Sequence, residues 1–96
     1  MIKSYELMLV ITPKLGEDEA NQLNDSILSL VKDQQGEIVK IDPWGKRLLA
    51  YPINKLQEGY YFVDYFKLES TALKNVKRQI NLNEQVIRHM FIAKED

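Results

Sequence analysis

Gly59-Tyr60-Tyr61-Phe62-Val63-Asp64-Tyr65-Phe66 is a run of eight residues that alternates along an extended backbone and carries rings on both of its faces. Successive side chains of a strand point to opposite sides, so Phe62, Asp64 and Phe66 share one face and Tyr61, Val63 and Tyr65 share the other. If the two phenylalanines enter a core, the tyrosine face must either lie beneath a second layer or look outward. The rest of the chain holds too few helical segments to supply a layer on each side. The run therefore predicts an antiparallel sheet roofed on one side, with an apolar open face of the kind that a partner covers. Asp64 does not fit this scheme, because a carboxylate on the core face has no counterpart legible in the sequence.

Immediately upstream, residues 44–53 read W-G-K-R-L-L-A-Y-P-I. Residues 37–41 alternate around Ile38, Val39 and Ile41 as a second strand, which is expected to break at Asp42-Pro43, where proline cannot donate to a ladder. Gly45 permits a bulge, after which the strand resumes over residues 46–53 with Pro52 marking an edge, and residues 54–59 turn the chain into the aromatic run. The result is a long, bent hairpin arm. Lys46 and Arg47 stand on it between the rings of Trp44 and Tyr51, with Lys55 beyond and little acid nearby, a combination suited to a phosphate backbone. The same residues also describe an amphipathic edge strand with solvated charges.

Outward from the arm the pattern completes itself. Residues 4–12 form an apolar run without Gly or Pro, with Tyr5, Leu7, Leu9 and Ile11 on one face and Ser4, Glu6, Met8 and Val10 on the other. Pro13 ends this first strand. Gly16 precedes Glu17, Asp18 and Glu19, acids that suit the positive end of a helix, and Ala20, Leu23, Ile27, Leu30 and Val31 recur at helical spacing until Gly36, which is expected to supply a left-handed cap. Beyond the aromatic run, Ser70 is expected to cap a short helix with Leu73, Val76 and Ile80 inward and Lys74, Lys77 and Arg78 outward. Residues 86–94 then alternate as a final strand. The order βαββαβ, with right-handed crossovers, predicts an α+β ferredoxin-like sandwich in which a four-stranded antiparallel sheet carries two helices on one face.

The 96 residues suit one domain spanning residues 1–96, and 45% hydrophobic with 28% charged residues match an ordinary folded protein. The chain has no cysteine and one histidine, His89, so thiolate chemistry, histidine metal clusters and nucleophilic dyads are not expected. Neither a glycine-rich phosphate loop nor a dinucleotide fingerprint is present, and the reading is non-enzymatic, with no cofactor, no metal and no small-molecule substrate. No segment resembles a signal peptide or a membrane span, which makes a cytoplasmic protein the expectation. The formal net charge is −1, but it is unevenly distributed. Residues 1–36 hold three cations against six anions, whereas residues 37–94 hold ten against six. Such a basic second half can steer a polyanion even in a nearly neutral molecule.

The aromatic run partly matches the signature of the RNA-recognition motif through Gly59, Tyr60, Phe62, Val63 and Tyr65. Glu58, where that motif has a cation, and Tyr61, where it has a small residue, break the match. A fuller resemblance spans nearly the whole chain. The opening S-Y-E-L-M-L-V-I, the central W-G-K-R-L-L-A-Y-P-I-N-K, the following E-G-Y-Y and the closing L-N-E-Q-V-I-R-H resemble the bacterial small-subunit ribosomal protein six family. That resemblance implies a ferredoxin-like domain without catalytic activity, which binds the central domain of small-subunit rRNA as a heterodimer with small ribosomal protein eighteen. It carries RNA contacts over to Lys3, Tyr5, Lys46, Arg47, Tyr51, Lys55, Arg88 and His89. Leu48 departs from the family pattern, standing where a second arginine is usual, so that a phosphate held there in the family is either not held here or passes to another residue. Trp44, Tyr61, Val63, Tyr65 and Met90, on the expected open face, are assigned to the protein partner. The rival reading is a regulatory or self-associating domain that uses the same face for a small ligand or a second copy.

Overall fold

The computed structural model describes residues 1–53 and 55–94. Strand β1 (Ile2–Ile11) leads through helix α1 (Glu17–Asp33) to strands β2 (Glu37–Ile53) and β3 (Leu56–Glu69). A 3-10 turn at Ser70–Ala72, helix α2 (Leu73–Asn81) and strand β4 (Val86–Lys94) complete the chain. All pairings are antiparallel and the strands lie in the order β2-β3-β1-β4, which is the expected ferredoxin-like arrangement. The alternation in β1 buries Tyr5, Leu7, Leu9 and Ile11. They meet Phe62, Phe66 and Leu68 of β3, Ala20, Ile27 and Val31 of α1, and Val76 and Ile80 of α2 in one cluster. Both helices thus cover the same face, and the central strands β1 and β3 supply most of what they cover.

Several local features differ from the sequence expectation. The left-handed residue after α1 is Gln35, with φ 65°, and not Gly36. Gln35 N–H donates to the Lys32 carbonyl and Gly36 N–H to the Val31 carbonyl, each at 2.8 Å, the two bonds that close a Schellman turn. Gly36 is required for a different reason: a Cβ there would lie 2.5 Å from Val31 Cγ1 and 2.8 Å from the Lys67 carbonyl oxygen. At the other end of α1, Gly16 N–H donates to Glu19 Oε1 at 3.1 Å, so the first-turn acids also tie the entry. The cap position of α2 is Ala72 and not Ser70, which opens the 3-10 turn and whose N–H donates to the Met1 carbonyl at 2.9 Å. Lys77 leans back over Phe91, with its Nζ 5.5 Å from the ring centroid.

β2 is not broken at Asp42-Pro43. It runs continuously along the sheet edge, where the lack of a proline N–H costs no ladder bond, and the register shifts between Pro43 and Gly45 with Gly45 at φ 78°. The reversal is also tighter than expected, because Ile53 already opposes Leu56 and residues 56–59 belong to β3. Asn54, within the expected turn, lies outside the described residues.

Asp64 finds its counterpart on α1. The buried stripe of that helix is Ala20, Asn24, Ile27, Leu28 and Val31, whereas Leu23 and Leu30 are half-buried. Asn24 Nδ2 donates to Asp64 Oδ1 at 3.1 Å inside the core. A polar pair that bridges helix and sheet explains what a stripe of apolar residues alone did not reveal.

Candidate nucleic-acid and protein interface

Three neighbouring rows of the sheet face opposite the helices follow from the strand registers. Arg88, Val10 and Tyr61 form one row. Met90, Met8, Val63 and Asp42 form the next, and Ile92, Glu6, Tyr65 and Lys40 the third. Its apolar surface is open to solvent, with Trp44 43%, Met90 44% and Ile92 41% exposed. Met8, Val10, Tyr61, Arg88, His89 and Met90 line a shallow groove of about 200 Å³ on it. Charges edge the third row: Glu6 pairs with Lys94 at 2.8 Å and accepts from the Tyr65 hydroxyl at 3.5 Å, while Lys40 Nζ lies 5.9 Å from the Tyr65 ring centroid. Its bond to Glu6 holds the Lys94 ammonium above its ordinary pKa.

Trp44 is the extra residue of the bulge between Pro43 and Gly45 and lies on the open face beside Asp42. Its ring stacks on Tyr61 with centroids 6.5 Å apart and planes 12° from parallel, and its Nε1 donates to Asp42 Oδ2 at 3.1 Å. Arg47 folds back over the same indole, its guanidinium carbon 5.7 Å from the ring, while its Nε donates to the Trp44 carbonyl at 3.1 Å. Tyr61, Trp44 and Arg47 therefore form a continuous aromatic and cationic path from the sheet onto the arm.

The arm itself makes an excursion. Leu48 opposes Glu58 and Ile53 opposes Leu56, so residues 49–52 face only Gln57. This slack delivers Tyr51 to the far edge of the sheet, where Arg88 Nη1 donates to its hydroxyl at 2.6 Å and the guanidinium carbon lies 5.7 Å from its ring. Lys55 is exposed at the reversal with φ 68°.

The residues assigned to RNA from the sequence are not all brought together. Tyr51 and Arg88 meet at the far edge of the sheet, Arg47 lies over Trp44 on the arm, and Lys55 stands at the reversal. Lys46, next to Arg47 in sequence, projects to the opposite side, with its Nζ 5.2 Å from the centroid of the buried Tyr60 ring. Tyr5 is a core residue, 5% exposed and 5.7 Å from Phe66 between centroids, so it has no surface to offer. His89 opposes Leu9 and packs edge-on against Phe91 at 5.9 Å, and burial, aided by Lys77, lowers its pKa. Lys3 is exposed but opposes Leu68 near the start of β1. About eight residues of strand, or ~27 Å, separate it from the arm end of β1. Of the residues assigned to the protein partner, Trp44, Tyr61, Tyr65 and Met90 lie on the open face, but Val63 is 1% exposed beneath its neighbours and supports the face without presenting surface. Ile92 also belongs to the face, on the same side of β4 as Met90, although the sequence reading does not assign it to the partner. Among the described residues no group of three or more His, Asp or Glu side chains is placed to hold a metal ion, and no helix is long and apolar enough to cross a membrane.

Residues 4–93 match the family model described as Ribosomal protein S6. The small ribosomal subunit protein bS6 of Desulforamulus reducens is 38% identical over 91 residues, which cover 95% of this chain and 96% of that protein. Its namesake in Corynebacterium efficiens is 42% identical over 87 residues, 91% and 92% of the two chains. A crystal structure of 30S ribosomal protein S6 from Thermotoga maritima is similar with a TM-score of 0.92 at 27% identity, spanning 98% of this chain and 89% of that one. The C-terminal domain of the MgtC protein from Mycobacterium tuberculosis, with a TM-score of 0.67 at 11% identity, shares the fold alone.

Proposed function

The chain belongs to the ribosomal protein S6 family, and from that premise we propose that it acts as a single binding domain holding central-domain rRNA and small ribosomal protein eighteen together. It is a component of the bacterial small ribosomal subunit in the cytoplasm and not an enzyme. The observation that carries the division of labour is the path Tyr61, Trp44, Arg47, which joins an open apolar sheet face to a basic arm. The face, through Trp44, Tyr61, Tyr65, Met90 and Ile92, suits the protein partner. The arm, through Arg47 and Lys55 with Arg88 behind Tyr51, suits phosphate and sugar. Cations without a base-reading constellation position a nucleic acid more readily than they read it, so RNA shape sets the specificity. A nearly neutral protein with so few convergent cations binds RNA weakly alone, and the partner completes the site.

The test is binding of a central-domain rRNA fragment at several salt concentrations with protein eighteen present. Replacing Arg47 and Lys55 by alanine is expected to weaken affinity and to lower the slope of log affinity against log salt by about one for each phosphate that is no longer neutralised. An unchanged affinity and slope removes both residues from the RNA surface. A stable homodimer without salt-sensitive RNA binding would replace this reading with self-association.

A further inference from the structure

We infer that Asp64 and Asn24 form a proton-dependent clasp between β3 and α1, in which the protonated carboxyl donates from Oδ2 to Asn24 Oδ1 while the Asn24 amide donates to Asp64 Oδ1. Both residues are sealed in the core, at 0% and 1% exposure, and one bond of the two is already in place at 3.1 Å. The oxygens left over, Asp64 Oδ2 and Asn24 Oδ1, are each buried without a hydrogen-bond partner. A buried polar atom in that state costs free energy comparable to a missing hydrogen bond, and two such atoms on one bonded pair have a common remedy. A carboxylic acid and a carboxamide match at two points, donor to acceptor in each direction. A carboxylate offers only acceptors and leaves the amide oxygen facing another oxygen.

The surroundings favour the acid. Asp64 opposes Leu7 on β1 and Ile41 on β2, shares its face with Phe62 and Phe66, and lies in the core to which α2 contributes Val76 and Ile80. The charge that acts on it is Asp25 on α1, which disfavours a second negative charge. Burial is the largest influence and, against the opposing effect of the Asn24 bond, the carboxyl is raised to about 6. A carboxyl whose folded value exceeds its unfolded one contributes stability that is complete below the unfolded value, 3.8, and is lost as pH rises through about 6. From about pH 4.5 to about 7.5 that loss corresponds to about a 25-fold increase in the unfolding equilibrium constant.

The experiment combines an NMR titration with denaturant unfolding. In the intact protein the Asp64 carboxyl carbon is expected to titrate near pH 6, and the Asn24 side-chain amide nitrogen to shift with the same midpoint, because the two groups share the ring. Asp64→Asn places a second amide opposite Asn24, satisfying both oxygens without a charge. The variant's unfolding constant relative to wild type is expected to fall by about 25-fold between about pH 4.5 and about 7.5. His89, whose pKa burial lowers, contributes with the opposite sign but is common to both proteins, so it cancels in the ratio. A carboxyl that titrates near its ordinary value, an Asn24 amide that does not follow it, or a stability ratio independent of pH overturns the clasp. Should Asp64→Asn fail to fold, the two titrations in the unmodified protein still decide.

Discussion

At Gln35 and Gly36 the left-handed turn that the sequence assigns to the glycine falls to the residue before it. Gln35 occupies the left-handed region at φ 65°, while Gly36 lies where any side chain would strike Val31 and Lys67. A glycine after a helix is legible as a stop signal. Which residue turns left is not, because that depends on how closely the chain passes β3. Gln35→Gly is expected to stabilise the protein by up to ~1 kcal/mol by relieving the positive φ. Gly36→Ala is expected to destabilise it by ~1–3 kcal/mol through overpacking. Paired urea melts of the two variants check both signs. His89 offers a second test at this scale. Its ring sits against Phe91 beneath Lys77, and burial followed by Lys77 lowers its pKa below 6.5. The stability it governs is therefore present above pH 6.5 and lost as pH falls through the lowered value. Lys77→Gln is expected to move the imidazole midpoint upward in a proton NMR titration, and a midpoint unmoved by that change would exclude the Lys77 contribution.

Among the elements, alternation makes β1, β3 and β4 readable because β1 and β3 bury one face against the helices, β4 half-buries one, and period 2 survives in the residue types. β2 is harder. As an edge strand it is exposed along most of its length, so Val39, Ile41 and Leu48 remain in solvent and its apolar residues report little about burial. Pro43, which argues for a break, is tolerated there because an edge position needs no N–H. The excursion of residues 49–52 is equally invisible in the sequence, since it is defined by Arg88, a residue 37 positions away from Tyr51. That bond is the arm's tie to β4. Tyr51→Phe removes a hydrogen bond to a charged but exposed group, worth ~1 kcal/mol after solvent screening. Backbone amides at 49–51 are expected to exchange about fivefold faster with deuterium while those of β1 are unchanged. Uniform exchange across the two proteins would show that the ladder alone holds the arm.

At the scale of the whole molecule an open apolar face and a basic arm lie along one sheet, and the candidate site is legible in proportion to how far the two stand apart. Arg47, Lys55 and Trp44 are readable as an exposed basic and aromatic group. Tyr5 and Lys3 enter by resemblance, and the registers place one in the core and the other about 27 Å away along β1. If the open face and the arm serve different partners, each can be disabled alone. Met90 is 44% exposed in the middle row of the face, and Met90→Glu puts a charge where a partner would exclude water, which is expected to weaken the protein heterodimer by at least about tenfold. The same variant is not expected to alter the salt slope of RNA binding at saturating partner, because every phosphate keeps its cation. Arg47→Ala with Lys55→Ala should do the reverse, lowering the salt slope while leaving the heterodimer intact in calorimetry without RNA. Trp44 stands at the junction, stacked on Tyr61 and covered by Arg47, so Trp44→Ala is expected to weaken both equilibria. Loss of RNA binding and heterodimer together in every one of these variants would mean that the two surfaces act as one.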